Sequence, residues 1–241
     1  MKKLVSTVGM DEKIWLAYRK KGIGGSDAGA VCGLNPYRSA MAVYLDKTTE
    51  ETEQVDNEAM RQGRAFEDYV ARRFMEASGK KVRRANAIFY NEQYPFMLAD
   101  VDRMVVGENA GLECKTASPY MADHWKNGQI PIHYELQCHH YMVVTGADCW
   151  YIAVLIYGRE FKWYRIERDE ELINYLIEVE RDFWENHVQK RVLPNPDGSK
   201  IADSVIAQYY RQSVAESIPL IGFDEKLQRR QELLGIIERM D

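Results

Sequence analysis

Glu113 and Lys115 flank Cys114 in the run Leu112-Glu113-Cys114-Lys115, and Asp102 lies eleven residues before Glu113 across the glycine-bounded stretch Gly107-Glu108-Asn109-Ala110-Gly111. Alternate side chains of an extended chain share a face, so a carboxylate and an ammonium project from one surface while Leu112 and Cys114 project from the other. A hairpin through the glycine-bounded stretch would bring the Asp102 carboxylate toward that of Glu113. Two carboxylates that close repel, and a divalent cation relieves the repulsion. Oxygen ligands without a softer partner favour magnesium or manganese over zinc, and the backbone carbonyl of Cys114 offers one more oxygen. A cation held there would polarise a phosphodiester and lower the pKa of a bound water, with Lys115 placed to orient that water or offset charge on the phosphate. The chemistry is hydrolysis without a protein nucleophile. Taken alone, the same pattern also describes an edge strand whose charges are merely solvated.

The elements that must position these residues are legible from periodicity and punctuation. Residues 14–18 read as a short helix ended by Gly22, and the turn Gly22-Ile23-Gly24-Gly25 leads to Ser26, read as the N-cap of a helix over 27–32 that Gly33 closes. Ser39 caps a second helix through Lys47, and 48–56 is an acidic loop. Phe66, Tyr69, Val70, Phe74 and Ala77 recur at helical spacing over 57–78, with Gly79 as the stop. Three strands are predicted next: 87–90, a long one from Phe96 to Val106 that contains Asp102, and 112–115. A helix over 134–144, a hairpin of 149–156 with 161–166, and a helix over 169–191 ended by Leu193-Pro194-Asn195-Pro196 complete the expected domain. The sum is an α/β fold with a central mixed sheet flanked by helices, spanning 1–196. Beyond it, 203–211 and 223–240 read as helices of a tail over 197–241, the second with a thin apolar stripe that would pack on another subunit if the chain is not truncated there.

Composition narrows the function classes. The chain has 241 residues, 46% of them hydrophobic, enough for one full core. It has no run of eighteen apolar residues and no apolar leader, so a cytoplasmic protein with no membrane partner is expected, in a bacterial or phage-infected cell. Four scattered cysteines form no CxxC pair and suggest neither zinc, disulfide nor iron-sulfur chemistry. A net charge of −5 argues against a protein that coats nucleic acid, so any phosphate contact must be local. Arg19-Lys20-Lys21, Arg72-Arg73 and Lys80-Lys81-Val82-Arg83-Arg84 are basic, although each alone is ordinary solvated surface. His139 and His140 lack a partner at metal-binding spacing and read as packing or hydrogen-bonding residues.

Asp102 followed by Glu113-Cys114-Lys115 resembles the acidic-x-lysine signature of PD-(D/E)XK nucleases. Further segments resemble the lambda exonuclease / YqaJ recombinase family in the same order. They are Arg19 with Gly22-Ile23-Gly24-Gly25-Ser26-Asp27-Ala28, Gly33-Leu34-Asn35-Pro36-Tyr37, Gly63-Arg64-Ala65-Phe66-Glu67, and Gln137 with His140-Tyr141. The resemblance spans most of the chain, roughly 15–196, and implies a restriction-endonuclease-like core.

The resemblance also implies roles. Glu67, one turn after Gly63, is a further acidic group of the metal site, and Gln137 contacts the attacking water or a phosphate. Tyr141 reads equally well as core. Arg19 and Ser26 form a pocket for a terminal 5'-phosphate, where free backbone N–H groups would assist. The family pattern has a serine two residues before the metal-binding aspartate, where this chain has Asp100, so either Asp100 assists the metal or the end pocket differs. The implied activity is 5' to 3' digestion of double-stranded DNA from an end with two magnesium ions, manganese substituting, to leave a 3' single strand for an annealing protein. A homo-oligomer such as a ring-shaped trimer fits the family. Two alternatives stay open: an endonuclease or repair nuclease with the same centre but no end dependence, and a silent DNA-end-binding module.

Overall fold

Caps and glycines place the helices where local chemistry demands. The computed structural model describes residues 1–49, 57–209 and 224–237. The chain runs β1 (Lys2–Ser6), α1 (Glu12–Arg19), β2 (Ile23–Gly24), α2 (Gly25–Val31), α3 (Ala40–Thr48) and α4 (Glu58–Ser78). It continues through β3 (Val82–Arg84), β4 (Ala87–Tyr90), β5 (Met97–Asp100), β6 (Arg103–Val105), β7 (Ala110–Ala117) and α5 (Ile132–Thr145). Then come β8 (Cys149–Ile156), β9 (Glu160–Glu167), α6 (Glu170–Asp182), α7 (Lys200–Tyr209) and α8 (Asp224–Ile237). Asn57 caps α4 by accepting from the Met60 N–H at 3.0 Å, and Gly79 ends it at φ 73°. Ser39 caps α3 through the Ala42 N–H. Two compact units are formed, Met1–Val205 and Ile206–Asp241. Residues 50–56 of the expected acidic loop and residues 210–211, 223 and 238–240 of the expected tail helices lie outside the described residues.

Two sheets stand where one was expected. The first has strand order β1-β4-β5-β2 and the second β3-β6-β7-β8-β9. Both are mixed, because β2 runs parallel to β5 and β7 parallel to β8 while the remaining pairs are antiparallel. The single strand expected over 96–106 is therefore two strands, and Asp102 sits in the break between them rather than on a strand. The reason is competition for a donor on a neighbouring strand: Asp102 Oδ2 accepts the Cys114 backbone N–H at 2.7 Å, just beyond the last β6–β7 pair, Arg103 with Leu112. Three short strands, β1, β2 and β3, have no counterpart in the sequence reading, where Ile23 and Gly24 stood within a glycine turn. Three of the residues of the basic run 80–84 form β3, and Arg84 pairs with Asp68 of α4 at 2.6 Å.

Alternation along β7 and β8 divides the core. Leu112, Tyr151 and Ala153 face α4, packing on Val70, Ala71 and Phe74, whereas Trp150, Ile152 and Val154 join the larger cluster with Met142 and Val143 of α5. α5 is buried nearly all round, because it packs at once on α2, α6, β5 and β8. Gly111 is paired with Trp150 across the β7–β8 ladder, and a Cβ there would lie 2.2 Å from the indole. Gly111→Ala is therefore expected to destabilise the protein by about 1–3 kcal/mol through overpacking. A lowered urea midpoint checks this; an unchanged midpoint would mean that Trp150 can move aside.

His140 of α5, expected to pack or hydrogen-bond, is fully buried with Nδ1 2.8 Å from Glu180 Oε1 of α6 and Nε2 2.9 Å from the Leu98 carbonyl. Burial disfavours the imidazolium, but the Glu180 carboxylate outweighs it and lifts the His140 pKa; burial also lifts Glu180, against the pull of His140. Both shifts mean that the folded state holds protons more tightly than the unfolded chain. The stability from the raised histidine is thus present below its ordinary value, about 6.5, and is lost as pH rises through the folded value, while the raised glutamate acts in the same direction. Glu180→Gln should flatten the decline in unfolding free energy as pH rises above about 6.5. Parallel curves for wild type and variant would show that the pair does not set it.

Candidate active site

β7 delivers Glu113 and Lys115 to one face, as alternation requires. Lys115 Nζ stands 2.6 Å from Glu113 Oε1. Gln137 of α5 completes a triangle: its Nε2 donates to Glu113 Oε1 at 2.7 Å and its Oε1 accepts from Lys115 Nζ at 3.0 Å. The same Nε2 reaches the Tyr141 hydroxyl at 2.9 Å, and that hydroxyl donates to the Asp100 carbonyl at 3.3 Å. Asp102 joins from the sheet break, fastened to the Cys114 N–H. The sequence reading brought Asp102, Glu113, Lys115 and Gln137 into one group, and the structure places them together. Tyr141, read there equally as core, is both buried and part of this network.

The electrostatics are those of a crowded acidic site. Burial, then the nearby Glu113 and Glu67 carboxylates, push Asp102 well above the usual carboxylate range. Burial also raises Glu113, even with Lys115 beside it. For Lys115, burial disfavours the ammonium but Glu113 prevails and its pKa rises, so it stays charged at neutral pH. Among the described residues, no group donates to Glu113 Oε2, which is buried. That orphaned oxygen and the adjacent Asp102 carboxylate are the oxygen donors a hard cation takes. Among the described residues no three His, Cys, Asp or Glu side chains form a cage by themselves. Magnesium does not need one, since it is commonly held by one or two carboxylates and keeps several waters. The residues present therefore fit such an ion.

Glu67 reaches the same cavity from α4 with its Oε1 paired to Arg103 Nη1 at 2.5 Å. Arg103 is itself buried, donates to the Asp102 carbonyl at 2.6 Å and pairs with Asp68. The sequence reading missed Arg103, although an arginine directly after the key aspartate in an apolar segment was the available signal. A Cβ on Gly63 would meet only Thr116 Oγ1, at 3.8 Å, so packing within the chain does not demand glycine there.

The expected role of Ser26 as N-cap is corrected. α2 starts at Gly25, and the cap position is Gly24, whose N–H donates to Asp27 Oδ2 at 3.0 Å. Glycine has no side chain to cap with, so only this reciprocal half of a capping box is available. The Ser26 hydroxyl is thereby left to accept from Arg19 Nη2 at 2.9 Å. The Arg19 guanidinium also lies over the Trp15 ring at 4.7 Å, and Trp15 Nε1 donates to Asp100 Oδ2 at 2.5 Å. Asp100, whose role the sequence left between two readings, is thus tied to the indole beneath Arg19. Its pKa is raised, by burial above all.

A single cavity of about 400 Å³ is lined by both groups: Arg19 and Ser26 on one wall, Asp102, Glu113 and Lys115 on another. A Cβ on Gly25 would come within 2.5 Å of the Tyr141 ring, the ring whose hydroxyl meets Gln137.

Comparisons with known proteins agree with this architecture. Solved structures that resemble it include the alkaline exonuclease LHK-Exo from Laribacter hongkongensis, at TM-score 0.64 and 20% identity over 75% of this chain and 94% of that one. The same enzyme in complex with dAMP aligns at TM-score 0.64 and 19% identity over 83% of this chain and 100% of that one. A phage-related exonuclease from Haemophilus somnus 129PT aligns at 0.54 and 13% over 70% and 96%. At these identities the likeness establishes the fold, an α/β restriction-endonuclease-like core. In sequence, the chain is 43% identical over 207 residues to the uncharacterized protein YqaJ of Bacillus subtilis (strain 168), covering 85% of this chain but 65% of that protein, less than two thirds of its length. The YqaJ-like viral recombinase domain model matches residues 14–148, and the chain belongs to that family.

Proposed function

We propose that this chain is a divalent-cation-dependent nuclease that digests double-stranded DNA 5' to 3' from an end and leaves a 3' single strand for an annealing protein. The observation that carries the reading is the shared cavity: a cationic, hydroxyl-bearing wall suited to a terminal phosphate faces a carboxylate–lysine centre suited to hydrolysis. The alkaline exonuclease of Laribacter hongkongensis and the phage-related exonuclease of Haemophilus somnus, which share the fold, support it.

Asp102 and Glu113 would hold magnesium, with manganese as substitute, and Glu67 and the Cys114 carbonyl complete the proposed ligand set, on two ions if both are bound. Such an ion polarises the phosphodiester and lowers the pKa of water. The protein's own groups do the positioning. Gln137 orients Glu113, and Lys115, pinned between Glu113 and Gln137, presents its ammonium to the phosphate. Arg19 and Ser26 receive the 5'-phosphate, so that the next phosphodiester lies at the carboxylates. Water adds to that phosphorus, the P–O3' bond breaks, and the released 3' oxygen takes a proton, giving a 5'-mononucleotide. A ring-shaped homo-oligomer would retain duplex DNA on a chain whose net charge is −5.

Release of acid-soluble nucleotides from linear duplex should require magnesium, stop with a chelator, and fall by at least about a hundredfold in Glu113→Ala. Equal release by the variant would remove this centre from the chemistry. The end-dependent reading also expects a closed circular duplex to survive, and a 5'-hydroxyl end to be degraded about tenfold or more slowly than a 5'-phosphate, a difference that Arg19→Ala erases. Cleavage of the circle would instead favour an endonuclease with the same centre.

A further inference from the structure

One side chain of the Gly-Gly-Ser-Asp segment has no part in the chemistry above. Asp27 follows Ser26, yet it is fully buried and ionic. Its Oδ1 meets Arg38 Nη1 at 2.6 Å, and its Oδ2 accepts both from Lys47 Nζ at 2.8 Å and from the Gly24 N–H at 3.0 Å. Lys47, on α3 and also buried, turns a further N–H to the Arg19 carbonyl at 3.0 Å. That carbonyl belongs to the last residue of α1, and Gly24 immediately precedes α2.

We infer that Asp27 and Lys47 are positioning residues of the 5'-phosphate pocket: their buried ion pair ties the backbone at Arg19 to the backbone at Gly24 and so fixes the Arg19 guanidinium against the Ser26 hydroxyl. The inference rests on the end-pocket reading above. The connection is short in both directions, since Lys47 holds the residue that bears the guanidinium and Asp27 holds the turn next to the hydroxyl. A Cβ on Gly24 would lie 3.6 Å from Asp27 Oδ2 and 3.8 Å from Arg19 Nη2, which places carboxylate and guanidinium beside the same glycine. Burial disfavours charge on Asp27, but Lys47, Arg38 and Arg19 together hold its carboxyl well below the usual carboxylate range, so the tie persists wherever the fold does.

Arg38 supplies an internal control. It pairs with the same carboxylate, but its other partner is Asp46, and among the described residues it makes no hydrogen bond to Arg19 or Gly24. Removing Arg38 or Lys47 takes one cation from Asp27, whereas only the loss of Lys47 releases Arg19.

The test measures kcat and KM for linear duplexes bearing a 5'-phosphate or a 5'-hydroxyl, in wild type, Lys47→Met and Arg38→Met, with circular dichroism melts beside them. Lys47→Met is expected to lower the phosphate-over-hydroxyl ratio of kcat/KM about tenfold or more, mainly through KM for phosphorylated ends. Arg38→Met should lower the melting temperature and leave the ratio within about twofold. A folded Lys47→Met that keeps the wild-type ratio overturns the inference, as does an Arg38→Met that loses the ratio equally. Should Lys47→Met not fold, Asp27→Asn, nearly isosteric, reads the same ratio with the same two outcomes. A wild type indifferent to the 5'-phosphate would remove the end-pocket reading and this inference with it, whereas a discriminating wild type beside an equally discriminating variant removes the inference alone.

Discussion

Burying a carboxylate costs on the order of several kcal/mol unless other groups compensate the charge, and the architecture around Glu113 follows from how that is done. Oε1 is compensated twice, by the Lys115 ammonium and the Gln137 amide. Oε2 is not, and the second carboxylate, Asp102, is brought close enough to raise its own proton affinity rather than to relieve that of Glu113. Removing Asp102 would lower the repulsion, whereas removing Glu113 would leave the buried Lys115 ammonium and the Gln137 amide without their shared acceptor. In the function proposed above an external positive charge completes the arrangement, and Lys115 is held in place by two acceptors.

The sheet break is what allows the second acid to arrive. Had the chain continued as one strand from Phe96 to Val106, a residue at 102 would have been fixed by ladder pairing to a single sheet. Passing from one sheet to the other at Val101 and Asp102 frees the Asp102 side chain to take the Cys114 N–H, and Arg103, directly after it, anchors the crossing by joining Glu67 and the Asp102 carbonyl. The acidic groups thus come from α4, the break and β7, three segments that no local interaction could align.

This also explains which parts of the molecule could be read from the chain. The common face of Glu113 and Lys115 follows from alternation alone, and the ends of α4 follow from Asn57 and Gly79, because both are decided within a few residues. The switch of sheets was not legible, since 96–106 is continuously strand-like and only long-range pairing divides it. Ser26 looked like a cap for a similar reason: its type suits one, and the competing donor from Arg19 and the acid at Asp27 act through the folded turn. The burial of α5 on every side depends above all on α2 and β5, both remote in sequence, so periodicity within 134–144 could not show it.

Tyr141 shows how tightly the two walls of the cavity constrain each other. Gly25 has to lack a side chain because the ring of Tyr141 occupies the place a Cβ would take, and the hydroxyl of that ring is held between Gln137 and the Asp100 carbonyl. Asp100 in turn grips Trp15, on which Arg19 lies. The path from guanidinium to Glu113 therefore runs through packed or hydrogen-bonded neighbours without a flexible loop. Pre-organisation of this kind matters most when a reaction depends on a fixed distance between a recognised group and the bond to be broken. Under the proposed reading that distance would be one nucleotide step, and the packed neighbours between the two groups would keep each step the same as the last.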